Sequence, residues 1–271
     1  MNMQRIIKAE MLKLRRCQIL LVGIVALALC PIVQYGSYLI TAEEFRAPNY
    51  DFPHLFASVV WGNTQIFLPI SLVMMGGWFI DREYAGDTLK NVITVPVPMS
   101  RLLLAKLIVT GLLTVLLGIY SAVLTLFTGS AVGLSGLSLG LALRGSAQII
   151  GASVTTFLVC APLILIFGQI RNGYLGGSIF TFFLGYSVLF FKGGFLASAY
   201  PFSAALILVG FDMRQYNGST AQSFPTAIVG MSITVAATLA LLAFGGNVRE
   251  VHSAMPKKKK PGGRPARGRR V

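Results

Sequence analysis

Six long apolar runs, set apart by short polar stretches, constrain this chain more than any other feature. They fall at about 18–40, 59–80, 102–128, 147–170, 174–195 and 225–247. A membrane hydrocarbon core of about 30 Å is crossed by about 20 mostly apolar residues wound as a helix. Lipid offers no partner to a backbone N–H or C=O, so each run must pair its own backbone, which an α-helix does. With 55% hydrophobic and 12% charged residues, the chain reads as an all-α polytopic membrane protein. The 29 glycines and 12 prolines are spread through the apolar runs, where membrane helices tolerate them.

Three regions are expected: a basic interfacial helix at 1–17, a six-span domain at 18–248, and a polybasic tail at 249–271. In the first, Met3, Ile7, Met11 and Leu14 lie on one side of a helical wheel, broadly opposite Arg5, Lys8, Arg15 and Arg16. That pattern suits a helix lying in the membrane interface. Pro31 and the apolar stretch to Ile40 make the first run too long for a cleaved signal segment. The tail holds only Pro, Gly, Lys and Arg between Lys257 and Arg270, apart from Ala266. Such a composition cannot build a core, so disorder and contact with anionic head groups are expected there. It has no aromatic residues to stack on bases, so nucleic acid is not an expected partner.

Two stretches are ambiguous. Residues 129–146, rich in Gly and Ser, read as an outer loop with a short helix. Residues 195–211 are long enough to tempt a seventh span, and charge argues against one. With six spans, nineteen Lys and Arg fall on the side of the termini and only Arg46, Arg144, Lys192 and Arg214 on the other. The excess belongs inside, which puts both termini in the cytoplasm and the protein in the plasma membrane. The stretch broken by Pro201 is then an outer re-entrant or interfacial hairpin between spans five and six.

Several chemistries have nothing to run on. The sequence contains no GxxxxGK[ST], no HExxH and no serine elbow. His54 and His252 fall on opposite sides of the membrane, and Cys17, Cys30 and Cys160 are scattered, as small packing residues would be. Ionisable residues within spans mark ion relays; these spans hold almost none, although neutral oxygens could still hold Na⁺. The spans do carry amides and hydroxyls, among them Gln34, Asn63, Gln65, Gln148, Thr155, Thr156 and Gln169. Helix–helix hydrogen bonds, each about 0.6 kcal/mol, are one reading of these groups; a substrate path lined by Gln34, Asn63, Gln65, Thr155 and Thr156 is the other.

The polar stretch from Asp81 to Lys106 differs from the rest. Its cations, Arg82, Lys90, Arg101 and Lys106, place it inside. Leu89, Val92 and Ile93 share one face of a short amphipathic helix, which Pro96 and Pro98 end. A helix restarts at Ser100 or Arg101 and runs into span three. The result is a helix–turn–helix at the membrane surface.

This segment resembles the first cytoplasmic loop of type-2 ABC exporter permeases, in the bacitracin-resistance and lantibiotic-immunity branch. The matching residues are Glu83-Tyr84, Thr88-Leu89-Lys90-Asn91, Pro98-Met99-Ser100-Arg101 and Ala105-Lys106. The chain departs from the pattern where the usual Gly-Thr reads Asp87-Thr88 and where Pro96 is added. The resemblance implies a coupling helix at 81–101 that docks on a separate ABC ATPase subunit. Glu83, Lys90 and Arg101 would make charged contacts, Leu89, Val92 and Ile93 would form an apolar anchor, and Thr88 and Asn91 belong to the motif. It further implies that this chain is no enzyme and binds no cofactor, ATP and Mg residing on the partner. A second permease chain completes the assembly. The cargo expected is amphipathic, such as a bacitracin- or lantibiotic-type peptide; Na⁺, a drug or a lipid-linked glycan are alternatives. The outer aromatics Phe45, Tyr50, Phe52 and Phe56 would contact that cargo or form an interfacial belt. A reading of another class is a non-transporting membrane anchor or sensor.

Overall fold

The computed structural model describes residues 3–14, 17–45, 50–85, 98–218 and 222–244. The tail and the Thr88–Ile93 segment lie outside these. The leading helix, Met3–Leu14, comes first. Six apolar helices long enough to cross a membrane follow: Leu20–Ile40, Phe52–Glu83, Met99–Val132, Leu139–Gly168, Gly173–Phe190 and Phe224–Phe244, termed spans one to six. All the regular elements among the described residues are helices, with no strand among them.

Span ends differ from the sequence reading where local turn chemistry decides. Span two begins earlier, at Phe52, because the Asp51 carboxylate accepts from His54 N–H at 3.2 Å and caps the helix. Span three runs on to Val132 and stops at Gly133, whose φ of +76° is a left-handed helix terminus. Gly136, at φ +86°, completes the reversal, and Ser138 Oγ caps the next helix by accepting from Leu141 N–H at 3.2 Å. The predicted outer loop at 129–146 thus shrinks to residues 133–138, and its remainder extends spans three and four. Phe52 and Phe56 are core residues, seated against Gly129 and Gly145, rather than an exposed aromatic contact.

Span two is the hub of the bundle. It packs along spans four and five, and its middle is a π turn, Asn63–Phe67, between helices Phe52–Gly62 and Leu68–Ala85. Small residues let the backbones meet. A β-carbon on Gly168 would lie 3.1 Å from Gly77 Cα and 2.8 Å from Ile80 Cβ. Without a hydrophobic force between helices in lipid, such close van der Waals packing is what holds spans together. Gly76 faces Ile164 and Gly177 faces Phe167 in the same way, whereas Gly176 has open space around it.

Residues 195–211 contain no seventh span. Two short helices, Gly194–Ala199 and Pro201–Leu208, meet at Tyr200, and the second is buried against spans four and six. Proline forms the first turn of the second helix, where its missing N–H costs nothing. The bend is pinned by Tyr200, whose hydroxyl donates to Leu184 O at 2.6 Å. Thr155 Oγ1 on span four donates to Ala205 O at 3.1 Å, and Gln148 Nε2 to Val209 O at 3.2 Å.

Replacing Gly168 by Ala should destabilise the protein by about 1–3 kcal/mol through overpacking. Gly176→Ala should be neutral or stabilise by up to about 1 kcal/mol. Thermal midpoints of the purified variants, followed by helical circular dichroism, test both.

Candidate coupling site

Lys106 is the starting point: an ammonium group in the apolar stretch LLLAKLIV, with only 4% of its residue surface exposed. An isolated charge at that depth is costly, so it must be paired. Its Nζ donates to Glu10 Oε2 at 2.8 Å and to Glu83 Oε1 at 3.3 Å. A second cation, Lys13, donates to Glu10 Oε1 at 2.7 Å and to Glu83 Oε1 at 2.8 Å. Two carboxylates and two ammoniums thus form one compact cluster around a cavity of about 20 Å³. Burial pulls the Lys13 pKa down, but the hydrogen bonds and charges of Glu10 and Glu83 outweigh it and raise it above the ordinary 10.5. Its stabilisation is therefore complete below that ordinary value and is lost only as pH rises through the higher folded-state value.

Three separate segments supply the cluster. Glu10 and Lys13 come from the leading helix, Glu83 from the end of span two, and Lys106 from the start of span three. Ile6 of the leading helix is buried against Leu102 and Ala105 one turn further along, so apolar packing sets the helix down and the charges fix its register. The face turned inward is Ile6 and Glu10, with Met11 and Leu12 exposed. The predicted apolar side, which included Met11, is rotated by about one residue.

Neighbouring contacts extend the arrangement. Arg82 lies over the Trp78 ring with 5.4 Å to its centroid and donates from Nη1 to Cys17 Sγ at 3.2 Å. Asp81, also buried, accepts from Asn172 N–H at 3.2 Å, holding the turn between spans four and five, where Asn172 adopts φ +55°. The lower end of span two is thereby tied on one side to the leading helix and span three, and on the other to spans four and five.

The sequence-predicted residues are placed as follows. Glu83 is only 8% exposed, with its carboxylate on Lys106 and Lys13 rather than turned to a partner surface. Arg101 is exposed in the first turn of span three, its N–H bonded to Pro98 O at 3.0 Å. Thr88, Leu89, Lys90, Asn91, Val92 and Ile93 lie outside the described residues. Of the polar set in the spans, Gln34 packs against Gly62, and Asn63 Nδ2 donates to Ser121 Oγ at 2.9 Å. Thr155 bonds backbone carbonyls, whereas Asn63 Oδ1, Gln65 Nε2 and Thr156 Oγ1 are buried with no hydrogen-bond partner among the described residues. Asn63 and Gln65 both sit in the π turn, which touches span four.

Sequence reasoning missed Glu10 and Lys13 and treated Lys106 as a span-end residue. The available signal was Glu10 at i+4 from Ile6 and i+7 from Met3, a carboxylate on an apolar helical stripe, together with a lysine inside an apolar run.

Residues 6–188, from the leading helix to the end of span five, match the family described as ABC-2 family transporter protein. The chain belongs to that family. It is also similar to the Bacitracin transport permease protein BCRB of Bacillus licheniformis, at 26% identity over 184 residues, covering 67% of this chain and 85% of the relative. All four cluster residues of this ABC-2 protein lie within the family match. The short helices Gly194–Ala199 and Pro201–Leu208 and the sixth span lie beyond it.

Removing one partner from a buried ion cluster strands the others. Lys106→Met should lower the stability of this ABC-2 protein by about 3–5 kcal/mol. Adding Glu10→Gln and Glu83→Gln to Lys106→Met should restore part of that loss, because no carboxylate is then left buried without its cation. Unfolding midpoints of the single and triple variants decide it; equal loss in both would show that packing, not charge, holds the leading helix.

Proposed function

We propose that this chain is the membrane permease subunit of an ATP-driven exporter and that its 81–101 segment docks a separate ABC ATPase. One observation carries the reading: both ends of the polar 81–106 stretch, at Glu83 and Lys106, are joined to each other and to the leading helix by the ion cluster. A force applied to residues between those ends cannot move one end alone. It displaces spans two and three and the leading helix as one body, and packed helices pass such displacement on as rigid units. Leu89, Val92 and Ile93 supply the apolar anchor on the ATPase, with Lys90 and Arg101 at its charged rim. Thr88 and Asn91 belong to the motif of that segment. Glu83 is a positioning residue, acting through Lys106 and Lys13.

In this reading the chain is not itself an enzyme; ATP and Mg are held by the partner ATPase. Two permease chains, identical or related, form the transmembrane unit with two ATPases in the plasma membrane, and both termini are cytoplasmic. The cargo is amphipathic. The name of the Bacillus licheniformis relative supports a bacitracin-type peptide, and the same machine would also suit a lipid-linked glycan. Such a cargo enters from the lipid phase and requires no deep charged binding cluster in the spans. The short helices at 194–208 form an outer re-entrant hairpin in this orientation.

Two variants test the reading in cells and in reconstituted vesicles with the companion ATPase. Leu89→Asp should weaken capture of the ATPase by about 30-fold, a hot-spot-sized loss, and abolish resistance to the cargo. Glu83→Gln should leave the ATPase captured and hydrolysing while transport falls about tenfold. Full resistance with Leu89→Asp would remove the docking segment from the proposal, and a bacitracin-sensitive deletion strain would fix the cargo.

A further inference from the structure

A groove runs along the surface of the bundle from the leading helix into spans one to three. Its mouth, about 460 Å³, is formed by Lys8, Met11, Leu12 and Leu14. Its deeper part, about 260 Å³, lies between Ile24 of span one, Met75 of span two and Leu113, Leu116, Leu117 and Tyr120 of span three. Leu20 lines both parts, so the two adjoin at that side chain. The floor is Met75 and Leu117, both buried, and the walls Ile24 and Leu116 are open to the outside. Gly23 shapes the groove: a β-carbon there would lie 2.9 Å from Met75 Sδ, so the absence of a side chain lets span one settle over that methionine.

The two ends of the groove differ in charge. Glu10 and Lys13 neutralise each other and their partners on the inward face of the leading helix. Lys8 lines the mouth, and Arg5 lies beside it one turn earlier on the same exposed face of the helix; neither has an ion-pair partner among the described residues. The deep part is lined by apolar side chains and one tyrosine. Its depth matches one membrane leaflet. Leu117 is eleven residues along span three from Lys106, about 16 Å at 1.5 Å per residue, roughly half of a 30 Å hydrocarbon core.

We propose that this groove binds one anionic phospholipid, with its phosphate at Arg5 and Lys8 and one acyl chain laid past Leu20 onto Met75 and Leu117. A cationic mouth at the interface that continues into an apolar slot one leaflet deep fits a molecule with a negative head and a hydrocarbon tail. Neither part alone would select it. The lipid would brace the leading helix against spans one and three from the side opposite the ion cluster. This site is independent of the ATPase-docking segment and of the identity of any cargo.

Native mass spectrometry of the full chain, released from detergent after titration with palmitoyl-oleoyl phosphatidylglycerol or the matching phosphatidylcholine, tests the proposal. The wild-type chain should retain one phosphatidylglycerol in preference to phosphatidylcholine. Arg5→Gln with Lys8→Gln should weaken that binding on the order of 30-fold, as expected for two cations near the surface. Leu113→Trp should fill the slot and remove the bound lipid with the cations intact, and Val123→Trp, on the exposed face of the same span, should not. Should Leu113→Trp misfold by circular dichroism, Leu116→Trp on the open wall carries the same expectation. Equal retention of both lipids, wild-type binding by the slot variants, or full displacement by inorganic phosphate would overturn the proposal.

Discussion

The burial of the Lys106 ammonium governs how this end of the bundle is built. Leu14, Phe79 and Val109 line the space around it and offer no polar group, so the charge must be met by other protein groups, and the two carboxylates that meet it come from elsewhere in the chain. Glu10 cannot reach Lys106 unless the leading helix lies across the start of span three. Glu83 cannot reach it unless spans two and three lie side by side at that level. One buried cation therefore sets the positions of three segments, and Lys13 brings the group to neutrality. Replacing the whole cluster by apolar residues would cost little stability in principle. What the charges add is a defined register, because a slide of one turn would strand a charge.

Span two converts this local fastening into a property of the whole bundle. Along its lower half it carries Glu83 toward the leading helix, Asp81 toward Asn172, Gly77 against Gly168 and Gly76 against Ile164. Its upper half carries Phe52 and Phe56 into the glycines of spans three and four, and Trp61 stacks on Phe211 beyond the short helices, with centroids 5.9 Å apart. One helix thus touches most of the others, and its two ends are fastened to different neighbours.

The fold was legible to the extent that it is local. Apolar runs and the cation bias specify six helices, and Pro201 marks the break that keeps 195–211 from crossing as one rod. Span ends were misplaced where single side chains decide them. Asp51 and Ser138 start helices earlier than composition suggests, and Gly133 ends one later. The coupling site was only half legible. The motif around Thr88-Leu89-Lys90-Asn91 is continuous in sequence and can be read directly. The cluster is not, because Glu10 and Lys106 are separated by 96 positions, and an odd charge in each apolar stretch does not by itself say which residue it meets. Helical-wheel reasoning even pointed the leading helix about one residue away, since the carboxylate on its inner face looks like a solvent residue until its partner is known.

The π turn at Asn63–Phe67 sits midway along span two and adds one residue to the winding. Each residue of an α-helix turns the chain by about 100°, so the halves above and below this point are phased differently from those of a regular helix. Asp81 and Glu83 lie in the half beyond the turn and carry that offset relative to Phe52 and Phe56 in the half before it. Excising a single residue from the turn would leave a span of nearly the same length and oiliness, yet swing both carboxylates off their targets. The phase of a helix, which hydropathy cannot see, is here the link between a polar kink deep in the bundle and the charges at its edge.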